Sequence, residues 1–265
     1  MNGFVFRPKQ SLGQNFLVDE NIARKITDVI DPRPEETIVE IGPGFGALTK
    51  YLLGKAGRLV AVEIDRYLCG ELRRSFGGDG HFELIEDDFL LVNLRHLAAH
   101  DGPLKIAGNI PYQITSPVLF KLFEAREHLS QAIFMIQKEV AERIVARPRT
   151  KAYGILSVFS QFYSIPESVF NVSGNVFRPR PNVASTLVRW RFVDKKNHDV
   201  GDPKLFTAIV RNTFNQRRKM LRNSLQRVPE ACDRLHRLDF DLRQRPEELS
   251  VADFVQLTNL IIAKM

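Results

Sequence analysis

Asn109-Ile110-Pro111-Tyr112 follows directly on Leu104 to Ala107, a short apolar run that reads as a buried strand. An amide, a rigid turn and an aromatic ring at the open end of a strand can hold a flat, amino-bearing ring by its edge and its face. One chemistry that such a grip would serve is substitution at an exocyclic nitrogen. Adenine N6 is a poor nucleophile because its lone pair is delocalised into the ring. Two acceptors, the Asn109 side-chain oxygen and the Ile110 carbonyl, would bond its two hydrogens and favour a pyramidal nitrogen. Pro111 turns both inward, and Tyr112 stacks on the base, worth roughly 1–3 kcal/mol. Alone, the tetrapeptide reads better as an ordinary turn after a strand, so its meaning depends on the rest of the chain.

A second feature supplies that context. Glu40-Ile41-Gly42-Pro43-Gly44-Phe45-Gly46 joins a strand over Thr37 to Ile41 to a helix over Ala47 to Leu53. Gly42, Gly44 and Gly46 permit positive φ and close backbone approach to a nucleotide-like ligand. Glu63 closes the strand Arg58 to Ile64, where a carboxylate can accept both hydroxyls of a ribose. A tight turn alone would account for the glycines; strand, helix and placed acid together point to a bound adenosine cofactor. The spacing also satisfies the dinucleotide pattern if Ala47 counts as its last small residue. An acid two residues before the first glycine, however, resembles the methyltransferase version of the turn, in which Glu40 organises the glycines and no pyrophosphate is bound. Asp88, after the strand Phe82 to Ile85, is placed to accept from the adenine amino group or to cap a helix, and Asp87 could share or compete for that place. A sulfonium is already an activated methyl donor. Holding the nitrogen ~3–3.5 Å from that methyl, in line with the leaving sulfur, needs no metal.

The elements that must position these residues alternate strand and helix. Asp19 caps a helix with Ile22, Ile26, Val29 and Ile30 on one face, ended by Pro32 and Pro34. Further helices are expected over Tyr67 to Phe76, Ser116 to Glu124 and Glu139 to Ala146, with a fifth strand over Ala132 to Ile136. This predicts an α/β fold, a mostly parallel sheet covered by helices on both faces. Val169 to Val176 and Ser185 to Val193 read as strands with no helix between them, adding antiparallel strands at the sheet edge. Lys195 to Pro203 reads as a linker and the chain from Lys204 as helical, closing on a helix capped by Ser250 and Asp253. Two domains follow, residues 1–195 and a small all-α domain, 196–265.

At 265 residues with 44% hydrophobic and 26% charged residues, the chain has an ordinary globular composition. The net charge of +7 points weakly to a polyanionic partner. Cys69 and Cys232 are far apart and form no metal or redox motif, so both read as reduced core thiols. Met1 to Gln10 lacks an apolar signal core, and no apolar run approaches ~20 residues. A cytoplasmic, monomeric protein with no membrane partner is expected.

With these residues in view, the chain resembles the KsgA/RsmA family of ribosomal RNA small-subunit adenine dimethyltransferases over almost its full length. Gly13-Gln14-Asn15-Phe16-Leu17 matches the family's first motif. The resemblance implies a Rossmann-like methyltransferase fold with a seven-stranded sheet. It also implies S-adenosyl-L-methionine contacts from Gln14, Asn15, Leu17, Gly42, Gly44, Gly46, Glu63, Ile64, Asp88 and Asn109. Phe177-Arg178-Pro179-Arg180-Pro181 resembles the F-x-P-x-P loop, which implies that Phe177 is the second aromatic wall around the target base; without the family it reads as a core residue. Catalytic roles are thus expected for Asn109, Pro111, Tyr112 and Phe177. Ile110 replaces a commoner Leu, Asp87 a frequent Gly, and Asn182-Val183-Ala184 a frequent Lys-Val-Asp. Family members transfer four methyl groups to two adjacent adenosines in a hairpin loop near the 3′ end of 16S rRNA, implying an immature small subunit as partner and capture of an unstacked base.

Arg211, Arg217, Arg218, Lys219, Arg222 and Arg227 span a stretch without an acid. On one continuous helix Arg211, Arg218 and Arg222 would fall along one line and could follow a phosphate backbone. A solvated face is the usual meaning of a charge run, but the match of Arg217 to Leu225 to the family implies RNA contact by Arg211, Arg217, Arg218, Lys219 and Arg222. A large-subunit rRNA methyltransferase of the antibiotic-resistance type would share the tetrapeptide but not this segment. An NAD-dependent dehydrogenase would leave Asn109 to Tyr112 unexplained, and a binding protein that checks ribosome assembly would make catalysis secondary.

Overall fold

The computed structural model describes residues 8–9, 12–192 and 199–263, so residues 1–7 and the expected linker's Lys195–His198 lie outside it. Its contacts divide the chain into two compact units rather than at a single cut near 195: residues 1–141 with 167–192, and residues 142–166 with 193–265.

The first unit begins with a two-residue strand, β1 (Phe16–Leu17), and helix α1 (Glu20–Ile30). Asp19 caps α1 by accepting from the Ile22 N–H at 2.9 Å, and Ala23, Ile26 and Ile30 bury its apolar face. Strand and helix then alternate through β2 (Thr37–Ile41), α2 (Thr49–Leu52), β3 (Arg58–Glu63), α3 (Arg66–Phe76), β4 (Phe82–Glu86), α4 (Leu94–Asp101), β5 (Leu104–Asn109), α5 (Thr115–Glu124) and β6 (Leu129–Gln137), followed by α6 (Lys138–Ile144). The expected helix over Ala47 to Leu53 is only the single turn α2, because residues 44–48 are taken up by the glycine turn.

The seven-stranded sheet runs β4-β3-β2-β5-β6-β9-β7, where β7 is Ile165–Val172 and β9 is Ser185–Arg191. Pairs among β2 to β6 are parallel, and β9 lies antiparallel to β6. One face buries Ile38, Leu59, Ala107, Ile133 and Leu187 against α1 and α2. Residues of the opposite parity, such as Val39, Val60, Ile106 and Phe134, are equally buried on the other face. The expected strand Val169 to Val176 is cut short. Ser173 accepts from the Asn175 N–H at 3.3 Å and opens a tight turn, after which β8 (Phe177–Arg178) leaves the main sheet and pairs antiparallel with β1.

The second unit is helical: α7 (Ile155–Tyr163), α8 (Pro203–Asn215), the short α9 (Leu221–Ser224) and α10 (Pro229–Cys232), and α11 (Val251–Ala263). Phe162 stacks on Phe206 at 4.2 Å between ring centroids, and Phe214 meets Phe254 at 5.9 Å. The basic run is not one helix, which corrects the expectation. Leu205, Ile209 and Thr213 are buried at four-residue intervals, so a continued α8 would drive Arg217 into the core. The helix stops at Asn215 instead. Cys69 is a core thiol, but Cys232 is exposed, contrary to the sequence reading.

β2 and β5 fit side by side only because residue 108 has no side chain. A Cβ on Gly108 would lie 2.5 Å from the Ile41 carbonyl oxygen. Gly108→Ala should therefore cost about 1–3 kcal/mol, read as a lower urea midpoint with an unchanged m-value.

Candidate active site

The carboxyl ends of β2 and β5 meet where the strand order reverses, since the other neighbour of β2 is β3. Open parallel sheets bind ligands in the crevice at such a switch point. Ile41 pairs with Gly108, so the glycine turn after β2 and Asn109 at the end of β5 emerge side by side. Here lies a cavity of about 370 Å³. Its wall includes Gln14, Asn15, Leu17, Gly42, Gly44, Glu63, Ile64, Asp88, Asn109, Pro111, Tyr112 and Phe177. Of the sequence-expected cofactor and catalytic residues, Gly46 alone is absent from it. Its φ is +80°, and a Cβ there would sit 2.5 Å from the Phe76 ring, so Gly46 shapes the turn from behind.

Two buried carboxylates hold the turn together. Glu63 accepts from the Gly44 N–H at 3.2 Å through one oxygen and from the Asp65 N–H at 2.9 Å through the other. Burial drives its pKa above the usual carboxylate range, an effect that these two donors only partly offset. Glu40 accepts from the Thr49 hydroxyl at 2.7 Å, and burial pushes its carboxyl to about 7. Asp88 caps the short turn Phe89–Leu91 by accepting from the Leu90 N–H at 2.8 Å, and it also lines the cavity. Asp87 accepts from the Asp88 N–H at 2.7 Å, and its own N–H donates to the Glu63 carbonyl at 3.1 Å.

Residues 12–18 are fastened across this crevice. The Asn109 side-chain amide donates to the Asn15 carbonyl at 2.7 Å, an orientation that leaves Oδ1 as its acceptor. Gly13 has φ +61°, and a Cβ there would come within 3.3 Å of Pro111. Gln14 donates to Asp65 at 2.9 Å, and Lys9 reaches the same carboxylate at 3.0 Å. Burial alone would raise the Asp65 pKa, but Lys9, Gln14 and the Tyr67 N–H together outweigh it and hold the carboxyl below its ordinary value. Asp65 was missed in the sequence; the signal available was an acid placed to cap the helix that follows Glu63. Phe16 packs on Phe45 at 4.9 Å, and Leu17 pairs with Phe177 across β1 and β8. The Phe177 ring is 1% exposed, a core side chain that is also part of the cavity wall. The Tyr112 hydroxyl is 3.0 Å from Ser185 Oγ, a partner on β9 that no sequence motif indicated.

Known proteins resemble the whole of this arrangement. The family described as "Ribosomal RNA adenine dimethylase" matches residues 5–263. The chain belongs to the ribosomal RNA adenine dimethylase family. Among its relatives are proteins named "Ribosomal RNA small subunit methyltransferase A". The one from Chlorobium phaeobacteroides is 45% identical, covering 94% of this chain and 89% of its own. That from Bacteroides thetaiotaomicron is 43% identical, covering 97% and 95%. A dimethyladenosine transferase from Plasmodium falciparum shares the fold, with a TM-score of 0.78 at 24% identity over 94% of this chain and 98% of that one. The 23S rRNA methyltransferase ErmE gives 0.70 at 25% identity, over 93% and 99%.

In this family member the basic residues of the helical unit differ in their engagement. Arg211, Arg218, Lys219 and Arg222 are exposed. Arg217 is half-buried: its Nε donates to the Glu247 carboxylate, and its two terminal nitrogens donate to the carbonyls of Lys151 at 2.9 Å and Thr150 at 3.1 Å. Its fork is thus spent inside the protein, against the expectation that it faces RNA.

The Glu40 carboxyl titrates near 7 when folded and near 4.5 when unfolded. Stability from its retained proton is complete below about pH 4.5 and is lost as pH rises through 7. Glu40→Gln keeps an acceptor for Thr49 without ionising. In urea titrations of the ligand-free protein, its stability relative to the parent should rise by on the order of 1–3 kcal/mol between pH 5 and 8.

Proposed function

We propose that this chain transfers methyl groups from S-adenosyl-L-methionine to N6 of two adjacent adenosines in the 3′-terminal hairpin loop of 16S rRNA. The observation that carries the reading is the Asn109 amide, turned by the Asn15 carbonyl so that its oxygen is an acceptor in the wall shared with Tyr112 and Phe177. The relatives' small-subunit names favour this substrate over a large-subunit one.

The residues fit the proposed cofactor. Gly42 and Gly44 bring bare backbone to the cavity, Glu63 closes β3 beside them, and Ile64, Leu17 and Phe89 line it with apolar surface. Glu63 would hold the ribose, and Asp88 the adenine amino group. When bound, the cofactor supplies a methyl already activated by its sulfonium. The chain's own residues do the rest. Asn109 Oδ1 and the Ile110 carbonyl accept from the target amino group and draw its lone pair out of conjugation. Ile110 is held for this role by its N–H, which donates to the Met135 carbonyl at 3.3 Å. Tyr112, restrained by Ser185, and Phe177, set in the core, enclose the base and limit its tilt. Positioning of this kind is the main rate contribution open to the site. In the helical unit, Arg211, Arg218, Lys219 and Arg222 neutralise rRNA phosphates. The protein acts as a monomer on the immature small subunit in the cytoplasm.

Mass spectrometry of 16S rRNA after incubation of small subunits with the protein and S-adenosyl-L-methionine should find two adjacent dimethyladenosines; methylation confined to 23S rRNA would refute the reading. Asn109→Ala should lower kcat by about 10²-fold or more, and retention of full activity would remove Asn109 from the mechanism. Replacing Arg218 and Arg222 with Gln should flatten the slope of log K against log salt by about 1–2.

A further inference from the structure

Residues 147–151 of the helical unit, Arg-Pro-Arg-Thr-Lys, link α6 to α7 and contain no acid. Arg147, Arg149 and Lys151 are exposed. Loops of this kind are usually solvated and loosely held, and this one is not. The Thr150 hydroxyl donates to the Arg147 carbonyl at 2.7 Å. Arg149 has φ +67°, a left-handed backbone that a non-glycine residue keeps only where its surroundings over-determine it. Here the surroundings do so. The Arg149 N–H donates to the Glu247 carbonyl at 2.7 Å, and the Glu247 carboxylate takes Arg217 Nε. Arg217 in turn returns its two terminal nitrogens to the carbonyls of Thr150 and Lys151.

Arg217 therefore brackets two basic segments together. On its own side stand the exposed Arg218, Lys219 and Arg222, and that segment is fixed by the Leu221 N–H donating to the Gln244 carbonyl at 2.8 Å and the Arg222 N–H to the Leu242 carbonyl at 3.0 Å. We infer that residues 147–151 are a second phosphate-binding element and that Arg217 is a positioning residue locking it to Arg218, Lys219 and Arg222, so that both segments grip one stretch of RNA backbone. The inference rests on the reading of the chain as an rRNA methyltransferase. Its physical basis is preorganisation: exposed cations on a backbone already held in place lose less freedom on meeting a polyanion than cations on a free loop. Arg217 suits the bracket because its planar fork serves three acceptors at once, which an ammonium cannot do in the same geometry.

The test is equilibrium binding of the full chain to purified small ribosomal subunits over a salt series, with thermal unfolding of every variant as a control. The double variant Arg147→Gln/Lys151→Gln should bind about tenfold more weakly near 0.1 M salt, with a slope shallower by about 1–2, at an unchanged unfolding midpoint. Arg217→Lys keeps the charge and loses the fork. It should weaken binding as much as Arg217→Gln does, whereas a direct phosphate contact by Arg217 would be largely rescued by Lys and would overturn its positioning role. If Arg147→Gln/Lys151→Gln binds like the parent while Arg218→Gln/Arg222→Gln binds weakly, the loop is no phosphate-binding element although the functional reading stands. If the parent chain itself does not bind the small subunit, the functional reading fails and the inference falls with it.

Discussion

The structure depends on the parallel contact between β2 and β5. Gly108 lies so close to the Ile41 carbonyl that no side chain fits, and this closeness brings two strand ends into one crevice. From one end issues the glycine turn, from the other Asn109. A nucleotide-sized cavity forms there because parallel strands all present their carboxyl ends to the same side, and the reversal of strand order parts the connections that follow them.

Around that crevice the polar groups are arranged in pairs that hold one another. Glu63 ties the end of β3 to the backbone of the glycine turn, and Glu40 ties β2 to α2 through Thr49. Both carboxyls are buried with pKa values raised by that burial, a cost accepted in exchange for a turn whose backbone is held from beneath. Residues 12–18 cross the opening and reach four separate anchors: Asn109 through the Asn15 carbonyl, Asp65 through Gln14, Gly44 through the Phe16 ring, and Phe177 through β1. The amide proposed to meet the target nitrogen is thereby oriented by the segment expected to contact the cofactor. That coupling makes the two halves of the site a single mechanical object.

Much of this was legible in advance, and the parts that were not share a cause. Strands β2, β3, β5 and β6 announce themselves because buried parallel strands are largely apolar runs, whereas β4, at the sheet edge, is shorter of apolar residues and half-exposed. The glycine turn announces itself because only glycine takes its backbone. The pairing of β1 with β8 left no trace, since two-residue strands have no period. Asp65 passed unnoticed because a helix cap and an anchor for a distant segment use the same residue. At Gly46 the spacing says that a side chain is excluded but not by what; the excluder is the Phe76 ring. Charge spacing alone suggests one helix for the basic run, whereas the buried stripe of α8 would carry Arg217 into the core, and the helix ends before it, at Asn215.

The sequence by itself determined the α/β class, the glycine turn with its acids, the Asn109–Tyr112 turn at the end of a strand and, through resemblance, the family. These are properties of residue type and short spacing, and local stereochemistry is enough to express them. Tertiary structure alone decided which way the Asn109 amide faces, that Phe177 serves both core and cavity, that Gly46 stands behind the wall, and that Arg217 is turned inward. Each of these depends on a partner far away in the chain: Asn15, Leu17, Phe76 and Glu247 respectively. A side chain's type fixes what bonds it can make; only the fold chooses which groups come within 3 Å to make them.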